Sequence, residues 1–127
     1  EALQRSGLQA SDVTGVKAHG TGRPTNDLTE LNALSVAFGG RPPPFSSLKS
    51  TFGHTLGASA ALELVTWTWC AEAGFLPGTH GYQQKAPESP LVPMIEPTAI
   101  GHQRSVHLFN AFGFGGTSVS FAAEVRR

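Results

Sequence analysis

The sequence predicts an α/β layered unit. Its apolar segments follow the order strand, helix, strand, helix, loop, hairpin. Glycine-rich turns close the first strand and the final hairpin. One helix is apolar on almost every side, so it needs cover beyond a single sheet face. The 127 residues contain no internal repeat and no low-complexity segment.

Taken in order, Leu3 to Leu8 ends a short helix closed by Gly7. VTGVKAH, Val13 to His19, reads as a buried strand entering a glycine turn. Asn26 or Asp27 is placed to cap the next helix, with Glu30 at capping-box spacing from Asp27. That helix carries Leu28, Leu31, Leu34 and Phe38 on one face and stops at Gly39-Gly40. RPPPFSSLKS is an extended connection into a short strand. His54 to Ala73 is the longest helical segment, and Gly53 and Gly57 at its start cost about 1 kcal/mol each against alanine. Such glycines mark the close approach of a backbone or a ligand. Gly74 to Pro97 reads as loop, with a short strand expected at Val92 to Ile95. SVHLFNAF, the turn GFGG and TSVSFAAEV complete a hairpin in which Val119, Phe121, Ala123 and Val125 alternate inward.

Nine basic and nine acidic side chains cancel, which removes the broad positive field of non-specific nucleic-acid binding. No apolar run reaches the roughly 20 residues of a membrane span, and the N-terminal residues lack a secretory layout. A single cysteine allows no intrachain disulfide, which fits a reducing compartment. With a first residue other than Met, these features predict a cytoplasmic protein or a piece of one.

The chemistry-bearing residues form an ordered set. His19 and His54 each sit where a strand or turn gives way to the next element, a usual place for functional side chains. A lone histidine there is ordinarily a hydrogen-bonded structural residue. Two of them, with Lys49 and a glycine-rich tail between and after, make a constellation. His80 and His102 fall in expected loops and His107 in a strand, all read as solvated or locally hydrogen-bonded. No His/Cys spacing matches a zinc site, and GFGG lacks the lysine and helix of a phosphate loop. Cys70 lies mid-helix with no cation or helix N-terminus nearby in sequence, so it reads as a core residue.

AHGTGRPTND…E, KSTFGHTLGASA and NAFGFGGTS resemble, in order, the three C-terminal motifs of the β-ketoacyl-acyl-carrier-protein synthases (ketosynthases). The resemblance runs from about Leu3 to Val125. It implies the thiolase fold, in which two α/β halves pack as a five-layer αβαβα sandwich. Residues 1–127 would form the C-terminal αβα half, with the N-terminal half and its nucleophilic cysteine missing. The implied reaction is a decarboxylative Claisen condensation of an acyl thioester with malonyl carried on the phosphopantetheine of acyl carrier protein. No covalently bound cofactor and no metal site in this chain are expected.

Residue by residue, His19 and His54 match the family's two active-site histidines. Lys49 and Glu63 match a bracing lysine–glutamate pair, and Phe114 matches a gating phenylalanine beside which both histidines should converge. Gly113, Gly115 and Gly116 would let that loop move, and Thr21 matches a threonine that binds the pantetheine arm. Four positions depart from the pattern. Arg23 stands for a second pantetheine-binding threonine, Lys17 for an asparagine, Ala60 for a glycine and Ser118 for an asparagine. Relatives with that asparagine are expected to hold a small cation against it, the glutamate matching Glu63 and backbone carbonyls matching those of Phe109 and Asn110. Lys17 is expected to place its ammonium there instead, within about 4 Å of Glu63.

The resemblance further implies a homodimer in full-length form, an isolated half that is inactive, and exposed apolar surface on that half. Two other readings remain. A thiolase shares the GHTLGASA stretch but has a cysteine in its C-terminal glycine loop, which NAFGFGGTS lacks. A non-catalytic, chain-length-type partner subunit would be favoured by loss of the cysteine in the missing half, but retention of His19, His54 and Lys49 argues against it.

Overall fold

The computed structural model describes residues 1–101 and 103–127. His102, expected in a loop, lies outside the described residues. The chain opens with α1 (Ala2–Arg5), then β1 (Val13–Lys17) and α2 (Pro24–Ala37). It continues through β2 (Phe45–Ser46), the single turn α3 (Lys49–Phe52) and α4 (Ser59–Glu72). A small antiparallel ribbon, β3 (Phe75–Leu76) and β4 (Thr98–Ala99), precedes the hairpin of β5 (Arg104–Phe112) and β6 (Ser118–Arg126).

The main sheet has the order β2-β1-β5-β6. β1 lies between two parallel neighbours, β2 and β5, and β6 closes one edge antiparallel to β5. Strand alternation assigns the faces. Val16 and Leu108 point to the α2 face, where they pack with Phe45 and Leu34. Lys17 reaches the opposite face to meet α4, and so do His107 and Phe109, which lie against Trp67. Leu48, Ala71, Leu76, Ile100 and Val125 complete that second cluster. Only glycine fits at position 15, because a Cβ there would lie 2.7 Å from Leu76 and 2.9 Å from His107.

Several expectations change in detail. α2 starts at Pro24, whose fixed φ and missing N–H suit the first helical position, and Arg23 is the N-cap without a side-chain bond. The capping box is therefore absent. Asp27 accepts the Thr21 N–H instead, and Glu30 reaches back to the turn after β1. The long helix begins at Ser59, not His54. Gly53 (φ +78°) and Leu56 (φ +50°) leave the helical region and unwind the chain before it. Val92 to Ile95 is not a strand, since Pro93 removes a donor from its middle. Met94 still donates to the Phe45 carbonyl and accepts from Thr79, so the segment lies along β2.

The covered surfaces of α4 and β6 are narrow. Ser59, Glu63, Trp67 and Ala71 form one buried stripe, while Leu62, Val65 and Trp69 on other faces of the helix are exposed. The inward row of β6 is buried only at Val125; Val119 is exposed, and Phe121 is partly open although it stacks on Phe109. His107 is fully buried rather than solvated, with Nε2 bonded to Ser105 Oγ at 2.8 Å. Burial pushes its pKa down to about 4.

Candidate functional site

His19 follows β1 directly, and the turn after it depends on glycine. Gly20 has φ +38°, and a side chain there would meet Ser47 Cβ at 2.6 Å. The buried carboxylate of Glu30 accepts the N–H groups of His19 (2.8 Å) and Gly20 (2.9 Å) and the side-chain amide of Asn110 (2.9 Å). Three donors satisfy this buried carboxylate, which forms no ion pair among the described residues. The His19 ring, 6% exposed, accepts the Phe112 N–H at Nδ1 over 3.3 Å and packs against the Phe112 ring.

His54 comes from the unwound turn before α4. Its Nδ1 accepts the Leu56 N–H at 3.1 Å. The two imidazoles meet edge to face, with centroids 5.8 Å apart. In both rings the accepting nitrogen is Nδ1, so in the neutral form the proton sits on Nε2. Burial, reinforced by the charges of Lys49 and Lys17, pushes the His19 pKa down to about 4. His19 is therefore a neutral Nε2–H donor at pH 7.

Behind the histidines lies a dry ionic cluster. Glu63, on the buried stripe of α4, receives Lys17 at 2.5 Å on one oxygen and Lys49 at 2.7 Å on the other. Ser59 adds a hydrogen bond of 3.1 Å. Lys49 also donates to the His19 carbonyl (2.8 Å) and Lys17 to the Asn110 carbonyl (2.7 Å). Burial alone would raise the Glu63 carboxyl, but the two ammoniums outweigh it and hold it below its usual range. Burial lowers Lys17, and its bond to Glu63 opposes that shift. The small cation implied by the resemblance does not fit here. The Glu63 and Asn110 oxygens that would bind it are already taken by a tethered ammonium.

The other expected site residues are dispersed. Thr21 and His54 line an open groove of about 730 Å³ between the turn after β1 and residues 79–93, which include the exposed His80. Arg23 faces a different groove, with Phe112 and Ser118. Phe114, in the hairpin turn, is 91% exposed, and Phe112 rather than Phe114 is the aromatic ring against His19. Gly115 and Gly116 both take φ +84°, and the Gly113 N–H closes the turn on Thr117. Cys70 is half-buried, and burial raises its thiol pKa, the opposite of activation. Glu30, read only as a helix cap, the Asn110 side chain and Phe112 are the residues whose part in the site the motif reading missed. A glutamate one turn before Leu34 on the buried face of an otherwise ordinary helix was the available signal for Glu30.

Such a site defines an α/β protein with two imidazoles, each held at Nδ1, over a buried lysine–glutamate cluster. The chain belongs to the β-ketoacyl synthase family: the model of the beta-ketoacyl synthase C-terminal domain matches residues 1–83. It is 36% identical to Nodulation protein E of Rhizobium meliloti over 124 residues, 94% of this chain and 30% of that protein. It is 34% identical to 3-oxoacyl-[acyl-carrier-protein] synthase 2 of Mycobacterium bovis, over 95% of this chain and 29% of that one. A beta-ketoacyl synthase structure from Burkholderia phymatum superposes with a TM-score of 0.86 at 34% identity, over 99% of this chain and 30% of that chain. The chain thus has the thiolase-type fold of a ketosynthase and spans about 30% of the length of these relatives. The superposition takes in the hairpin, which lies beyond the matched family domain.

Proposed function

We propose that this chain is the histidine-bearing half of a β-ketoacyl-acyl-carrier-protein synthase in fatty-acid or polyketide synthesis. The nucleophilic cysteine would come from a part of the protein outside residues 1–127. The observation that carries the reading is the meeting of two imidazoles, each with Nδ1 fixed by a backbone N–H and Nε2–H left to donate.

In this mechanism the bond between the malonyl α-carbon and its carboxylate breaks, CO2 leaves, and the electron pair passes into the thioester as an enolate. His19 and His54 donate to the enolate oxygen as its charge develops, which is where preorganised donors act most strongly. The α-carbon then bonds to the carbonyl carbon of the acyl-cysteine, and the tetrahedral intermediate collapses by expelling the thiolate. Lys49 and Glu63 act as positioning residues through the His19 carbonyl. Thr21 would bind the pantetheine arm in the groove it lines, with acyl carrier protein docked at its mouth. Phe114 and its flanking glycines would complete the acyl side of the site. The uncovered stripe Leu62, Val65 and Trp69 supports a further part of the protein packing over α4.

In the full-length protein, His19→Ala and His54→Ala should each lower malonyl-thioester decarboxylation by roughly 10²–10³-fold. Radiolabelled CO2 release measures this directly. Unchanged decarboxylation in both variants would remove the proposal. A full-length protein without turnover, which binds an active ketosynthase instead, would identify a chain-length-type partner subunit. The isolated chain should neither condense substrates nor be labelled at Cys70 by a cysteine-directed condensing-enzyme inhibitor.

A further inference from the structure

We infer that Lys17 is the site's own tethered cation: its ammonium fills the place of an exchangeable monovalent ion and positions the Asn110 carbonyl and the Glu63 carboxylate behind His19. The inference does not rest on the proposed reaction, since it concerns only what holds these oxygens.

The geometry is that of a cation site already filled. A carboxylate oxygen of Glu63 from α4 and the carbonyl of Asn110 from β5 converge on one ammonium, at 2.5 and 2.7 Å. The Lys17 side chain is 2% exposed, so water does not compete for it. Hard oxygen donors from separate elements, converging in a dry pocket, are what a hard metal ion requires. Here they cannot take one without expelling the lysine.

The charges nearby make that exclusion stronger. Glu63 faces two ammoniums, Lys17 from β1 and Lys49 from α3. Glu30 on α2 has spent its oxygens on backbone and amide donors, and His19 lies beside the cluster with His54 against its ring. A metal ion would enter beside an existing excess of positive charge. Removing Lys17 reverses this situation. Asparagine at position 17 would vacate the ammonium's place and add a third oxygen near Glu63 and Asn110.

The test uses thermal unfolding of the full chain in potassium chloride and in tetramethylammonium chloride at equal ionic strength, since the larger ion cannot enter. The native sequence should unfold at the same temperature in both salts. Lys17→Asn should unfold at least about 3–5 °C higher in potassium, the size of shift that ligand linkage gives a small domain. Folding in potassium alone would support the proposal equally. Lys17→Met, which fills the space without inviting an ion, should show no difference between the salts. A purely structural ion pair predicts destabilised variants with no preference for either ion. Potassium dependence of the native sequence would overturn the proposal, as would a Lys17→Asn chain equally stable, or unfolded, in both salts.

Discussion

The two histidines are held in opposite ways. His19 sits at the end of a central strand, almost fully buried, with its turn tied down by Glu30 and its carbonyl held by Lys49. His54 stands on an exposed turn between two short helical pieces, and the bond to its ring comes from a backbone N–H two residues away. One donor is thus built into the core of this chain. The other is aimed by local turn geometry and lies against a surface that α4 leaves open. A pair of equal chemical partners need not be equally preorganised, and the difference can be tested on stability alone.

The largest effect should come from Glu30→Ala. It strips partners from two backbone N–H groups and the Asn110 amide at once, and should cost about 3–5 kcal/mol in chemical denaturation. His54→Ala should stay within about 0.5 kcal/mol of the native chain, as for other exposed positions. Equal losses would erase the contrast.

Acid should come next. His19 and His107 both fall to about 4 in the folded chain from an ordinary 6.5. Between those values the unfolded chain binds more protons, so stability is full above about pH 6.5 and is lost as pH falls towards 4. The loss should be on the order of 3 kcal/mol for the fully buried His107 and less for His19. Denaturation midpoints from pH 7 to 4 measure the sum, and His107→Phe should remove its share of the slope. A flat profile would show that neither ring is buried neutral.

The smallest effect separates the two turns. Gly20→Ala meets Ser47 at a positive φ and should cost about 2–3 kcal/mol. Gly53→Ala faces open space, so its cost is backbone strain alone at φ +78°, ψ 173°, about 1–2 kcal/mol. A costlier change at Gly53 would mean that the His54 turn is as tightly built as the His19 turn.

Much of this was readable in the chain. A buried apolar run before a glycine turn placed β1, the GFGG turn and alternation placed the β5–β6 hairpin, and the motifs named His19, His54, Lys49, Glu63 and Lys17, which the fold brings together. The misses share one cause. Glu30 was read as a local cap because its spacing from Asp27 suited one, whereas its carboxylate serves backbone donors from the preceding turn. The local bond of His107 to Ser105 was expected, but its full burial beside Trp67 was not. Phe114, carried over by motif, stands in solvent, and the ring against His19 is Phe112.

The sequence by itself determined the α/β order and the family, because periodicity, glycine turns and short motifs act over a few neighbouring residues. Only the tertiary structure decided which groups satisfy one another: two lysines on Glu63, three donors on Glu30, and two rings whose free nitrogens are both Nε2. Those pairings join β1 to α4, α2 to β5 and β5 to β1. In a dry interior a buried charge must find its partner wherever the fold brings one within reach, and distance along the chain does not encode that.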